Sequence, residues 1–259
     1  MKLKGSAALI TGASKGIGRA IALAFANEGA DLAVTGRNVG ELRSLAEAAE
    51  AQGVKCVVID ADLAARGAVA AVFNQAKARL GSIQVLVNNA GVGSSANPKP
   101  VLNYDDDFWE MMMYVNLTVP YLLSKAVLPD MLAARYGRII NIASINGKMA
   151  ALHGAAYAAS KHGLLGLTRT LAMETVKDGI TVNAICPGPV HTLINDLRLQ
   201  YDALRLGKTF AEIESSVTPM GRRLEPDEIS PLAVYLASKD STPMTGQAIN
   251  IDGGVLMMG

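Results

Sequence analysis

Tyr157 and Lys161 stand four residues apart in the run Tyr157-Ala158-Ala159-Ser160-Lys161, a spacing that puts a phenol and an ammonium on one face of a helix. An unperturbed tyrosine ionises near pH ~10, and a neighbouring cation favours its phenolate. Bringing that pKa to neutrality takes roughly 4 kcal/mol, at about 1.4 kcal/mol per unit. One lysine does not supply this alone, and a positively charged cofactor ring beside the pair would add to it. The pair is therefore a reason to look for a nicotinamide site elsewhere in the chain. Taken alone, the same pattern also describes an aromatic packed on a core with a lysine in solvent, so its neighbours decide.

The first neighbour is near the N-terminus. The apolar run Ala7-Ala8-Leu9-Ile10-Thr11 leads into Gly12-Ala13-Ser14-Lys15-Gly16-Ile17-Gly18 and then into a helical apolar pattern at Ile21, Leu23, Ala24 and Phe25. Strand, glycine turn and helix in that order are the context a dinucleotide site requires. Glycine allows positive φ and close approach of a pyrophosphate, and a helix opening at Gly16 aims free N–H groups and its positive dipole end at that anion. Gly12, Ser14, Lys15, Gly16, Ile17 and Gly18 are the candidate contacts, although the spacing GxxxGxG differs from the commoner GxGxxG. At the end of the next apolar run come Thr35-Gly36-Arg37-Asn38. Gly36 stands where an NAD-specific site carries an acid, and Arg37 offers a planar cation suited to a 2′-phosphate. With Lys15 as a second cation and Asn38 beside it, the pattern predicts NADP(H) in preference to NAD(H). The plainer alternative is that both cations are solvated surface charges.

Thr11-Gly12 with Gly16 and Gly18, Asn88-Asn89-Ala90-Gly91, Asn116, Ser144, Tyr157 with Lys161, and Pro187-Gly188 fall in one order and spacing. In them the chain resembles the classical short-chain dehydrogenase/reductase family, 3-oxoacyl reductases included, from about residue 5 to Asp252-Gly253-Gly254. The resemblance implies a catalytic set of Asn116, Ser144, Tyr157 and Lys161. In it Lys161 also bonds the nicotinamide ribose, and Asn116 holds a water that links the lysine to solvent. It further implies adenine contacts at Asp62 and Leu63, with Asp60 and Asp62 alternatively capping the next helix. Ribose contacts follow at Asn89, Ala90 and Gly91, with Asn88 structural, and nicotinamide contacts at Pro187, Gly188, Val190 and Thr192. Ser144 can donate to the substrate oxygen that Tyr157 protonates, and Asn146 and His153 are further substrate candidates. The implied reaction is hydride transfer between nicotinamide and a carbonyl or secondary alcohol carbon, on a 3-oxoacyl or polyketide-like ketone. A sugar, polyol or hydroxy-acid dehydrogenase is the alternative, and a dinucleotide-binding sensor without catalysis is the contrasting class.

Positioning these groups requires a sheet. Apolar runs suggest strands at 7–11, 31–35, 55–60, 84–88, 137–143, 180–185 and 247–251, and helical patterns fall at about 16–28, 38–52, 66–80, 105–133, 155–177 and 226–237. Continuously apolar strands alternating with helices mean a parallel sheet covered on both faces. The expectation is thus a Rossmann-type, doubly wound sheet of seven parallel strands in a single domain over 1–259, for which the resemblance implies the order 3-2-1-4-5-6-7. It also implies a substrate lid at about 188–220 and a homotetramer paired through the helices at 105–133 and 155–177.

Composition agrees. A chain of 259 residues, half hydrophobic, 18% charged and of net charge +1 gives no electrostatic reason to expect nucleic acid or an anionic membrane. Small molecules and other subunits are the expected partners. Three scattered histidines and the distant Cys56 and Cys186 make no metal-ligand set, and both thiols read as small buried hydrophobes. No run of eighteen apolar residues occurs, and Met1 to Gly5 enter the first strand without a signal sequence, so the expected compartment is the cytoplasm.

Overall fold

In the computed structural model, residues 1–257 are described. Seven strands form one parallel sheet in the order β3-β2-β1-β4-β5-β6-β7: β1 Ala7–Thr11, β2 Asp31–Gly36, β3 Cys56–Asp60, β4 Val85–Asn88, β5 Gly137–Ile142, β6 Ile180–Pro187 and β7 Ala248–Ile251. In β1, β5 and β6 every residue is buried, which is why these strands read as mostly apolar rather than alternating, with Arg138, Asn141 and Asn183 buried as hydrogen-bonded exceptions. In register, Leu9 lies between Ala33 of β2 and Leu86 of β4.

The helices α1 Gly16–Asn27, α2 Val39–Glu50 and α9 Pro226–Ala237 bury Ile21, Phe25, Leu42, Leu45, Ile229 and Leu236 against one face of the sheet. The opposite face carries α3 Ala68–Leu80, α5 Val119–Ala134 and α6 Ala155–Thr175, through Val72, Leu123, Val127, Met131 and Leu171. The chain leaves β1 toward β3 on one side and resumes at β4 on the other. The order therefore reverses between β1 and β4, where a crevice opens beyond their carboxyl ends.

Local chemistry adjusts several expected boundaries. The long helix expected at 105–133 is two helices, α4 Asp106–Met113 and α5, joined by a π turn at Tyr114–Thr118. Asp105 caps α4 by accepting from the Phe108 N–H at 2.9 Å. Helix α3 begins two residues later than expected, on Gly67 at φ +89, with no side-chain cap. Asp60 and Asp62 therefore do not cap it, and Asp62 instead closes its own turn by accepting from the Ala64 N–H. Between β6 and β7 lie α7 Leu193–Leu206 and α8 Phe210–Ser216, together with an isolated parallel bridge from Val190 to Leu224. The helical run Asp106–Ala134 is long and apolar enough to cross a membrane, yet its stripe Val119, Leu123, Val127 and Met131 is spent on the sheet. Cys56 and Cys186 are both free and buried.

Candidate active site

The glycine turn fits a dinucleotide. Gly12 and Gly16 take φ of +64 and +58, and α1 opens on Lys15 with neither a side-chain cap nor an acid in its first turn. Its leading N–H groups are free for an external anion. A Cβ on Gly12 would lie 2.8 Å from the Ala90 Cα, and one on Gly18 only 2.4 Å from the Gly12 carbonyl oxygen. Both glycines are required by the docking of this turn on the loop after β4. Thr11, absent from the candidate contacts, makes the seam: its hydroxyl accepts from the N–H groups of Asn89 and Ala90, each at 3.0 Å. The Asn89 amide returns bonds to the carbonyls of Thr11 and Gly12. Asn89 is thus occupied in joining two strand ends, and Ala90 and Gly91 continue over the crevice.

At the far end of the crevice, Lys15, Arg37 and Asn38 are exposed. Asn38 caps α2 by accepting from Glu41, and neither cation appears in an ion pair among the described residues. A Cβ on Gly36 would sit 3.6 Å from the Ser14 hydroxyl oxygen. Leu63 turns into the core at 6% exposure, so Asp62 alone of that pair presents its side chain to solvent.

Ser144, Tyr157 and Lys161 meet beyond the end of β5. Ser144 follows the strand by two residues and starts a short 3₁₀ turn, its oxygen accepting from the Asn146 N–H at 3.1 Å. Helix α6 begins at Ala155 and presents Tyr157 and, one turn on, Lys161 to the same side. Tyr157 is half-buried, and the Ser144 hydroxyl is near enough to favour its ionised form. Lys161 is 5% exposed, donates to the Ile142 carbonyl at 2.8 Å and lies 5.7 Å from the centre of the Tyr157 ring.

Burial pushes the Tyr157 phenol above its ordinary value, against the opposing effect of Ser144, while burial brings Lys161 down to about 8. Lys161 donates one bond to the Ile142 carbonyl, and the pair alone does not make a phenolate, as expected from the sequence.

Asn116 lies in the π turn, buried, with its amide fully used. Its Oδ1 accepts from Val92 at 2.8 Å, and its Nδ2 donates to the Val92 carbonyl at 3.0 Å and to the Ser160 hydroxyl at 3.2 Å. It thereby pins the loop after Gly91 to α6, and a Cβ on Gly91 would lie 3.3 Å from its Oδ1 and 3.8 Å from the Lys161 ammonium. Pro120, four residues on, has no N–H to give the Asn116 carbonyl. Beneath this turn a buried ladder runs from Asn88 through Asn141 to Thr168, and it makes Asn88 a tie between β4 and β5.

Pro187 ends β6, and Gly188 is held so close to Asp252 that a Cβ would be 2.7 Å from the Asp252 Cα. Val190 is buried at 3%. Thr192 caps α7, and its methyl carbon is 3.0 Å from where a Cβ on Gly16 would stand, directly over the glycine turn. Asn146 turns its amide to the Ala150 carbonyl. His153, at φ +56, shares a hydrogen bond with the Tyr201 hydroxyl of α7. On α7, Arg198 and Arg205 share one carboxylate, Asp202, leaving a net positive charge on the three groups. Lys99, Pro100, Val101 and the segment Ala150–His153 line a hollow of about 500 Å³. Among the described residues no group of three metal-ligating side chains gathers.

A glycine turn, an uncapped helix start and a serine–tyrosine–lysine cluster at the switch point of a parallel sheet define a class: dinucleotide-dependent oxidoreductases. Residues 12–256 match the family described as enoyl-(acyl carrier protein) reductase. D-beta-hydroxybutyrate dehydrogenase of Cupriavidus necator is 34% identical over 97% of this chain and 98% of its own. Oxidoreductase UcpA of Escherichia coli is 39% identical over 98% of this chain and 95% of its own. A solved point variant of actinorhodin polyketide ketoreductase with NADPH superposes with a TM-score of 0.90 at 33% identity, covering 96% of this chain and 97% of that one. The chain belongs to the short-chain dehydrogenase/reductase family, whose members are oxidoreductases acting on CH–OH donors.

Proposed function

We propose that this protein is an NADP(H)-dependent reductase of ketones, 3-oxoacyl or polyketide-like, with Ser144, Tyr157, Lys161 and Asn116 as its catalytic set. One observation carries the reading: Ser144 at the end of β5 and Tyr157 of α6 stand beside a buried Lys161, on the sheet whose β1 end offers an uncapped helix N-terminus. A bound nicotinamide dinucleotide supplies the hydride in reduction and takes it in oxidation. Tyr157, a neutral phenol at neutral pH whose pKa burial raises further, gives its proton to the substrate oxygen, and Ser144 donates a second hydrogen bond as charge develops there. Lys161 would hold the ribose and pass a proton back to Tyr157, refilled from solvent through a water at Asn116.

The pyrophosphate lies on Gly12, Ser14, Gly16, Ile17 and Gly18, the adenosine end on Arg37, Asn38, Lys15, Asp62 and Leu63, and the nicotinamide end on Asn89 to Gly91, Pro187, Gly188, Val190 and Thr192. Helices α7 and α8, within 188–220, form a lid in a single-domain chain, with Asn146 and His153 at the substrate. The protein works in the cytoplasm on small molecules, as a homotetramer paired through α4–α5 and α6, where Trp109, Tyr121 and Met173 are exposed at 37%, 43% and 82%.

A second reading, a hydroxy-acid dehydrogenase, is favoured by the Cupriavidus necator relative. Loss of NADPH absorbance with ketones, 3-oxoacyl thioesters and keto-sugars separates these readings, and absence of turnover with all of them would leave a dinucleotide-binding sensor. Cofactor choice is tested at Arg37: Arg37→Asp should lower kcat/KM for NADPH by at least about tenfold, one charge-assisted contact being worth about 1.5–3 kcal/mol. A higher kcat/KM with NADH than with NADPH in the native protein would overturn it.

A further inference from the structure

Arg223 is a charged side chain buried to 4% exposure that the reaction outlined above does not use. It lies in the segment between α8 and α9, and its guanidinium spans both lid helices. It reaches Asp196 in the first turn of α7 at 2.5 Å and Glu214 of α8 at 2.5 Å, with a further donation from Nε to Glu214 at 2.7 Å. It also stands 5.5 Å over the Phe210 ring. Two carboxylates on one planar cation make a directional, charge-assisted junction that a lysine matches only as a point charge.

The backbone beside it is fixed to the hinge. Leu224 pairs with Val190, the Leu224 N–H donates to Pro189, and the His191 N–H donates to Leu224. The imidazole of His191 stands 4.0 Å from Glu214 and 3.7 Å from Glu225. Arg223 therefore ties the first turn of α7, the body of α8 and the hinge leaving β6 into one unit. That first turn carries Thr192, which lies over Gly16, and Ile194, whose carbonyl accepts from the Ser95 hydroxyl across the crevice. We infer that Arg223 is a positioning residue that holds the lid closed over the dinucleotide by clasping Asp196 and Glu214.

An apolar side chain of similar length is tolerated where a buried ion pair stood, and the side chains of Asp196 and Glu214, exposed at 40% and 31%, return to water on release. Arg223→Met thus frees the lid while the sheet stays intact. The test uses the full chain in three forms: native, Arg223→Met and Arg223→Lys. Native-state trypsin reads the lid directly, because Arg198, Arg205 and Lys208 all lie on it. NADPH titrated by its own fluorescence reads the closure.

In Arg223→Met, nicking within 193–208 should quicken by at least about tenfold and the Kd for NADPH should rise about tenfold, as for a closed state reduced to a tenth of its population. Its kcat at saturating NADPH should stay within about threefold, since the transition-state contacts are untouched. Arg223→Lys should recover at least half of the lost affinity. Unchanged nicking and Kd would overturn the inference, as would kcat falling with Kd unchanged. If Arg223→Met does not fold, Asp196→Asn carries the same expectations at an unchanged Tm, and its native-like nicking would be equally contrary. The affinity arm rests on the cofactor reading proposed above and the nicking arm does not. Failure of the native chain to bind NADPH therefore sinks that reading alone, with the nicking ratio still deciding the clasp.

Discussion

At Lys161 burial and function pull in opposite directions. Its side chain is 5% exposed and its pKa is brought down to about 8 by desolvation, against about 10.4 in an unfolded chain. The unfolded state binds more protons between those values, so stability rises with pH across about 8 to 10.4, and the penalty is fully present below about 8. That penalty is about 3 kcal/mol, offset by roughly 1 kcal/mol for the bond to Ile142. Lys161→Met should therefore raise Tm at pH 7 by about 5 °C while turnover is lost; a Tm that falls would show the ammonium to be stabilising. Tyr157 has a linked consequence. Burial raises the phenol's pKa, so it is ready as an acid and must lose its proton to act as a base. Ketone reduction should be flat across neutral pH, and alcohol oxidation should climb steadily with pH without levelling off near neutrality, both read as kcat/KM profiles. Sequence spacing placed Tyr157 and Lys161 on one helix face, as the structure has them. The Ile142 carbonyl that accepts a bond from Lys161 is supplied by a strand nineteen residues away, and a spacing rule does not see across the fold.

At the scale of elements, the site depends on where backbones touch. Gly18 lies 2.4 Å, in Cβ terms, from the Gly12 oxygen and the Asn89 amide, whereas a Cβ on Gly166 of α6 would meet nothing within 4 Å. Gly18→Ala should part the turn from the β4 loop, lowering NADPH affinity at least about tenfold and Tm with it. Gly166→Ala, in an exposed helix interior, should stabilise by about 0.5–1 kcal/mol. Thermal unfolding of the two variants side by side checks both signs, and equal shifts would contradict the contact argument. Strand positions were legible because β1, β5 and β6 are buried on both faces and read as mostly apolar runs. The π turn at Tyr114–Thr118 was not, since its cause is one missing N–H at Pro120 inside a sequence that otherwise keeps helical periodicity. The Thr11 seam was equally hidden: a threonine ending a strand looks like any other β-branched residue until its two donors arrive from β4, 78 and 79 positions on.

Over the whole molecule, the reversal of strand order between β1 and β4 gathers glycine turn, ribose loop and catalytic helix at one edge, and leaves α4, α5 and α6 with apolar groups facing out. Sedimentation of the native protein should give four times the 27.1 kDa chain mass, and Tyr121→Glu should reduce it by burying a charge in the pairing surface. A monomeric mass at micromolar concentration would contradict the assembly. Fold class and strand order were both legible in advance, from periodicity and from resemblance respectively. The junction of Arg223 with α7 and α8 was not, because its three charges are 9 and 27 residues apart in the chain and meet only after the excursion beyond β6 folds back.

The central claim is that Tyr157 passes the proton while hydride moves at the adjacent carbon. Single-turnover oxidation of bound NADPH by a ketone substrate, in native protein and in Tyr157→Phe, measures this most directly. The account predicts a rate lower by about 10²- to 10⁴-fold in the variant, the usual worth of a positioned acid, with NADPH affinity retained. A variant that turns over at the native rate would contradict it.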